Sequence, residues 1–409
     1  MTDKKRATYE ELLKKAPNFE GVIAPLSWEH QGLTHKKTEE FFKKLWIGNL
    51  EKNIKSKLWK KHGSVKKDCV DIGRDKALIG VGAGPSFNKN KHILKELHDI
   101  DGVKSWQDRD FIIVASNHMF KPLLEIDIIP DFVAVVDASD IMYEQLNEDI
   151  PSTGQNSILL TGLHCSPKVL NEWSNQGREI RFYLPRNIGL EEPFQKLTGK
   201  HPKHHTIVQG GNVLNSLWSV AFQYLHSTVF MALGNDLSYP IKDDVDEQRD
   251  SYYADGDYTT NIKNKRDEAK GQKQWLGFTL NPSQIYTGRK LRYNVQLDLV
   301  GTSPTLWVYK TWMESTILMH AKETRAYHYF NCSEGGILGV MNKSMDFDVQ
   351  ELKKDENWFL LDEKCPRWHT MTFEDAIEKF VTAKGALKRP WEIPFDAQNV
   401  TGLVPMTRM

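Results

Sequence analysis

Between residues 77 and 240 the chain alternates short apolar runs with stretches in which apolar residues return every three or four positions. The runs are 78–81, 111–115, 132–136, 157–161, 179–184 and 228–233. They are rich in Ile, Val, Leu and Phe, the pattern of strands buried on both faces of a parallel sheet. Between the last two, Val213, Leu214, Leu217, Val220, Ala221 and Tyr224 share one side of a helix predicted over 212–226. Strand and helix in alternation predict an α/β domain, Rossmann-like, with a largely parallel sheet and flanking helices.

The flanks read differently. Phe42, Trp46, Leu50, Ile54 and Leu58 recur four apart and predict helix, broken near Gly48, within a helical N-terminal region over 1–75. Thr8-Tyr9-Glu10-Glu11 would start it and Pro25 interrupt it. Beyond the central runs, Leu306, Val308, Tyr309, Trp312, Met313, Ile317 and Leu318 predict a helix after 304, residues 327–331 a strand, and 372–383 a helix before an extended tail. The expected organisation is a catalytic domain over 76–340 and a C-terminal helix and tail over 341–409. Residues 241–290 open on Asp243-Asp244-Val245-Asp246-Glu247, lack periodicity, and are too long for a simple connection, so they read as an insertion or lid.

In open parallel sheets, ligands bind beyond the carboxyl ends of the strands. Those positions carry Gly82-Ala83-Gly84-Pro85-Ser86, Ser116-Asn117-His118, Asp137-Ala138-Ser139, Gly162-Leu163-His164 and Gly234-Asn235-Asp236-Leu237-Ser238-Tyr239. The first reads as a phosphate cradle running from strand to helix, with Pro85 and Ser86 in the first turn, or else as a purely structural tight turn. Asp137 and Asp236 suit a divalent cation, or the capping of whatever follows them. Asn117 suits a base or ribose, or an Asx-turn. His118 and His164 are candidate general bases, or structural histidines.

Composition adds bounds. With 409 residues, 40% hydrophobic and 26% charged, the chain has an ordinary soluble composition and room for a large core. No apolar run approaches the roughly 18 residues of a membrane span, and the charged first residues argue against a secretory signal. Cys69, Cys165, Cys332 and Cys365 are scattered without a CxxC pair, which predicts reduced thiols, a cytoplasmic location and no zinc site. Net charge is zero, but residues 36–67 hold eleven lysines against three glutamates. That basic face is either simply solvated or a contact for a polyanion.

The order of motifs resembles a known family. Gly82–Ser86, Ala115-Ser116-Asn117, Ile129-Pro130-Asp131 before Val135-Val136-Asp137, Gly210-Gly211-Asn212-Val213, Gly234–Tyr239, Gly301-Thr302 and Asn331-Cys332-Ser333-Glu334-Gly335-Gly336-Ile337-Leu338-Gly339 are similar to the central domain of the motility accessory factor and MptE-like proteins. The likeness covers about 77–340, with Asn235 and Ser333 departing from the usual residues. The resemblance implies one of two activities. One is glycosyl transfer from a CMP-activated nonulosonate on a sialyltransferase-like fold, with no cofactor required. The other is Mg²⁺-dependent pyrophosphoryl transfer from ATP to a hydroxymethyl-pterin.

On the first reading the partners are a nucleotide-sugar donor and a hydroxyl acceptor, which is a protein, glycan or small molecule. The resemblance assigns Gly82, Gly84, Ser86 and Asn117 to the nucleotide. Pro85, Asp236, Gly335 and Gly336 are expected beside it, and His118, Asp137, His164 and Glu334 are the catalytic candidates. Mg²⁺, if used, falls to Asp137 and Asp236. A Gly84→Val change is expected to abolish nucleotide binding without unfolding. The third reading is a non-catalytic nucleotide-fold module.

Overall fold

The structure is a computed structural model that describes residues 28–102, 104–186, 188–240, 253–254, 275–280, 297–320, 327–342, 358–363 and 365–381. The expectations placed on 1–27, on most of 241–290 and on the tail after 381 lie outside these residues. The six anticipated strands all form: β1 (Ala77–Val81), β2 (Phe111–Ser116), β3 (Phe132–Val135), β4 (Ile158–Gly162), β5 (Ile180–Arg186) and, after the short β6 (Thr206–Val208), β7 (Val229–Leu233). Two further strands, β8 (Trp275–Leu280) and β9 (Leu297–Thr302), pair antiparallel, so part of the stretch read as a lid is a strand. Then come β10 (His328–Asn331), β11 (Val340–Asn342), β12 (Trp358–Leu360) and β13 (Trp368–Thr370).

Nine strands form one sheet in the order β13-β10-β7-β1-β2-β3-β4-β5-β6, and each neighbouring pair is parallel. This is the Rossmann-like α/β class that the alternation predicts. The sheet grows outward from β1 in both directions, so chain order reverses between β1 and β7. Because β13 belongs to the same sheet, the domain does not stop at residue 340.

Six helices matter for the site: α1 (Trp28–Lys55), α2 (Phe87–Leu97), α3 (Pro167–Asn175), α4 (Val213–Val220), α5 (Pro304–His320) and α6 (Phe373–Phe380). Side chains alternate across a strand, so each sheet face is covered separately. Leu78, Ile112, Val114 and Phe230 pack with Trp218 of α4 and Met313 and Ile317 of α5. Ile79, Val81, Ile113 and Met231 pack on the other face with Leu94 of α2 and Phe373 and Ala376 of α6. Burying one such aliphatic or aromatic side chain contributes about 1.5–3 kcal/mol, which is why apolar residues dominate these runs.

The expected break near Gly48 is absent, and α1 runs through it to Lys55. A Cβ at Gly48 would meet nothing within 4 Å, so this glycine costs some helix propensity without redirecting the chain. Leu50 is fully buried, and Asn49 and Asn53 fix the helix to the loops after β3 and β4. Asn49 Nδ2 donates to the carbonyls of Ala138 (3.0 Å) and His164 (3.1 Å), and Asn53 Nδ2 to those of Leu163 and Cys165 (2.9 Å each). α2 begins at Phe87, directly after the glycine turn, with Phe87, Asn90 and Leu94 on its buried side. The helix after 212 becomes a π-turn at Ala221–Leu225. All four cysteines are free and buried. Among the described residues, no helix is long and apolar enough to cross a membrane.

Candidate functional site at the carboxyl edge of the sheet

At the reversal between β1 and β7 the glycine turn packs against the loop after β7. A Cβ on Gly82 would lie 2.5 Å from the Gly234 carbonyl oxygen, and one on Gly84 would lie 2.6 Å from both that oxygen and the Asp236 Cγ. Close backbone approach therefore dictates these glycines. Neither is among the positive-φ residues, so left-handed geometry does not.

The N–H groups of the turn are engaged within the chain: Gly82 N donates to the Leu233 carbonyl, Gly84 N to the Gly234 carbonyl (2.8 Å each) and Phe87 N to the Gly84 carbonyl (3.1 Å). Ser86 N donates to Asp236 Oδ2 (2.8 Å), and the Ser86 hydroxyl donates to Asp236 Oδ1. The place a phosphate would take is thus filled by the protein's own carboxylate. Burial pushes Asp236 up to about 6, outweighing the two Ser86 bonds that favour the charged form. Ala83 N makes no hydrogen bond among the described residues, so one donor of the turn remains for a ligand.

The loop after β10 closes the same side. Gly336, at φ +81°, has its α-carbon face against the Asp236 backbone, where a Cβ would come within 2.4 Å, and Ile337 N donates to the Asp236 carbonyl (2.9 Å). Gly335 lies over Ser86. Glu334 Oε1 accepts from Phe373 N (3.1 Å) at the start of α6, a stabilising place for a carboxylate, and its carbonyl accepts from Lys89 Nζ. Glu334, Gly335, Gly336, Ser86 and Asp236 are together, as the sequence suggested, but they hold one another.

His164 is buried in the core. Its Nε2 lies 3.2 Å from the Val136 carbonyl, its ring meets Trp46 of α1 edge-on, and a Cβ on Gly162 would collide with its Nδ1. Burial drives its pKa down to about 4, so the ring is neutral near pH 7. It supports α1 and is removed from the open edge, so it is not placed to serve as a base.

The edge beyond β2 and β3 is where polar groups stay accessible. Asn117 Nδ2 donates to Gln145 Oε1, and Gln145 Nε2 faces His118 Nδ1 at 3.3 Å. The His118 ring stacks on Tyr253 at 4.3 Å, and Ala254 N donates to the Ala83 carbonyl (3.0 Å), bringing this pair from the polar stretch against the turn. Asp137 is exposed. One of its oxygens accepts from Ser139 N (2.7 Å), the turn anticipated as an alternative role, and the other has no partner among the described residues.

Opposite stand Gly210 and Gly211, where a Cβ would strike Trp312 and Tyr309 of α5 respectively. Asn215 Nδ2 ties the Gly210 carbonyl (2.8 Å) to that of Tyr309 (3.0 Å). Gln145, which bonds Asn117 and faces His118, sits at a helical position that packing alone explains, so local pattern gives no signal for it.

Residues 45–242 match the family model described as 6-hydroxymethylpterin diphosphokinase MptE-like. Over that stretch, just under half of the chain, the sequence is similar to the MptE-like family. The matched segment runs from α1 through the Asp236 loop, and so contains the glycine turn, Asn117, His118, Asp137 and His164, while Tyr309 and the Glu334 loop lie outside it. No curated protein matches in sequence. Among solved structures, the MAf glycosyltransferase from Magnetospirillum magneticum AMB-1 is similar at a TM-score of 0.45 and 13% identity, over 71% of this chain and 37% of that one. This chain therefore spans well under half the length of that enzyme.

Proposed function

We propose that this chain is a transferase that moves a group from a nucleotide to a hydroxyl acceptor, with sugar transfer as the first reading. The observation that carries it is the accessible cluster of Asn117, His118 and Asp137 at the ends of β2 and β3, inside the matched segment. The Ala83 N–H and the Asn117 amide hold the nucleotide, and His118 or Asp137 takes the acceptor proton. With Asp236 bonded to Ser86, the glycine turn acts as a wall of the pocket and supplies one donor, not a full cradle.

Pyrophosphoryl transfer is the second reading, favoured by the description of the matched family. It requires Mg²⁺, and the donor set bears on how that ion would be held. Asp236 is engaged with Ser86, whereas Asp137 offers an oxygen without a partner among the described residues. One carboxylate together with substrate phosphates is a common way of holding Mg²⁺, so Asp137 alone fits. When bound, the ion would neutralise phosphate charge.

Thermal-shift titration against CMP, CDP, UDP, GDP and ATP, each with Mg²⁺ and with chelator, separates the readings. Stabilisation by CMP in chelator supports sugar transfer, and an ATP shift that needs Mg²⁺ supports the second reading. No shift with any nucleotide leaves the non-catalytic module. Once turnover is found, His118→Gln and Asp137→Asn are compared. The base is the residue whose loss lowers kcat by about 10²-fold or more while nucleotide affinity stays unchanged.

A further inference from the structure

Away from the candidate site, three side chains form a line of hydrogen bonds between β10 and the edge strand β13. Arg367 Nη1 lies 3.0 Å from His328 Nε2, and His328 Nδ1 lies 2.7 Å from His369 Nε2. The two imidazoles stack at 5.0 Å, and the His369 ring stacks on Phe330 at 4.4 Å. Arg367 and His328 are buried, and His369 is half-buried.

The direction of each bond follows from the arginine. A guanidinium only donates, so His328 Nε2 accepts, and a neutral imidazole that accepts there carries its proton on Nδ1. His328 Nδ1 therefore donates to His369 Nε2, which leaves His369 with its proton on Nδ1. A second proton on His369 would set two N–H groups face to face. His328 cannot answer by moving its own proton to Nε2, because Arg367 already points a donor at that atom. Burial, His369 and Arg367 likewise hold His328 well below the usual imidazole range.

Among the described residues, the other elements packed here bring no carboxylate to the pair. β7 sets Val229 beside His328 and Met231 beside Phe330, and α6 places Phe380 on Phe330. Glu374 and Glu378 of α6 are exposed, and Asp375 accepts from its own cap at Thr372 (2.7 Å).

The pair secures more than one strand. β13 leads through Thr372, the cap of α6, to Phe373, whose N–H holds Glu334 next to the Gly335 that lies over Ser86. We infer that His328 and His369 form an acid-sensitive latch: when the pair takes up protons, β13 and α6 come away from β10 and the Glu334 loop loses its anchor. Opening returns both histidines to their ordinary range of about 6.5, so the latch is closed above that value and weakens as pH falls below it.

Hydrogen exchange of the full chain, corrected for the intrinsic effect of pH, tests this between about pH 7.5 and about pH 5.5. Amides of residues 368–381 should lose protection about tenfold or more on acidification, while β1 remains the better protected region. Changing His328→Gln and His369→Gln together keeps hydrogen-bonding groups without the charge, and should abolish that loss. Nitrogen NMR of the unaltered protein at the higher pH adds a reading that needs no substitution, since both imidazoles should carry their proton on Nδ1. Four results overturn the latch: protection of 368–381 that acid does not change, equal protection of that segment and β1 in acid, an undiminished loss in the doubly substituted protein, or an Nε2–H form of either histidine.

Discussion

The two halves of the carboxyl edge carry similar residues and do opposite work. On the β7 and β10 side, Asp236, Ser86, Asn235, Ser333 and Asn331 bond one another: Asn235 N donates to Ser333 Oγ (3.0 Å), Asn235 Nδ2 to Tyr329 Oη (2.8 Å) and Asn331 Nδ2 to the Leu338 carbonyl (3.2 Å). On the β2 and β3 side, one Asp137 oxygen is left without a partner among the described residues. A chain-reversal crevice is the usual ligand position in such sheets. Here the protein's own loops close much of it and displace the accessible chemistry by one or two strands. The difference teaches that a polar loop end is a site only when its hydrogen bonds are left unmade.

The sharpest way to break this comparison is Gly84→Val. Since a Cβ there meets Asp236 and the Gly234 carbonyl, the change should destabilise the fold by on the order of 3 kcal/mol or more in urea denaturation. That replaces the expectation of an intact but non-binding protein. A variant with unaltered stability would mean that the turn and the Asp236 loop are not packed together.

Next is Asp236→Ala, which leaves Ser86 N buried and unpaired and should cost about 1–3 kcal/mol. Asp236→Asn keeps an acceptor for that N–H and should cost less. Because the folded carboxyl sits near 6, above its ordinary value, Asp236 binds a proton more readily folded than unfolded. Its contribution to stability therefore falls as pH rises from about 4 to 6, and Asp236→Asn should remove that slope.

The sign reverses for His164, whose folded pKa of about 4 lies below its ordinary value. Its contribution is present above pH 6.5 and is lost as pH falls toward 4, because the unfolded chain takes the proton first. Chemical denaturation across that window should show the opposite slope, flattened in His164→Gln. The smallest effect expected is at Asn53→Ala, which releases two carbonyls that loosen α1 from the loop after β4, at about 1 kcal/mol.

Much of this was legible in the chain. The six apolar runs fall on β1, β2, β3, β4, β5 and β7 within two residues, because strands buried on both faces are predominantly apolar. The shorter β6 and β13, three residues each, are too brief to carry a pattern. The order of motifs pointed to the MptE-like match. Residue type and position after a strand also placed Asn117, His118 and Asp137 at the edge.

What the sequence alone determined was therefore the periodicity, the class of fold and the set of polar groups delivered to one edge, since these depend on local spacing. Which of those groups remain available was decided only by the tertiary structure. Asp236 meets Ser86 across 150 positions of chain, and α1 covers His164 across more than a hundred. Tyr309 meets Gly211 from a helix that local pattern reads as core. Hydrogen-bond satisfaction is a property of neighbours in space, and spacing along the chain carries no record of it.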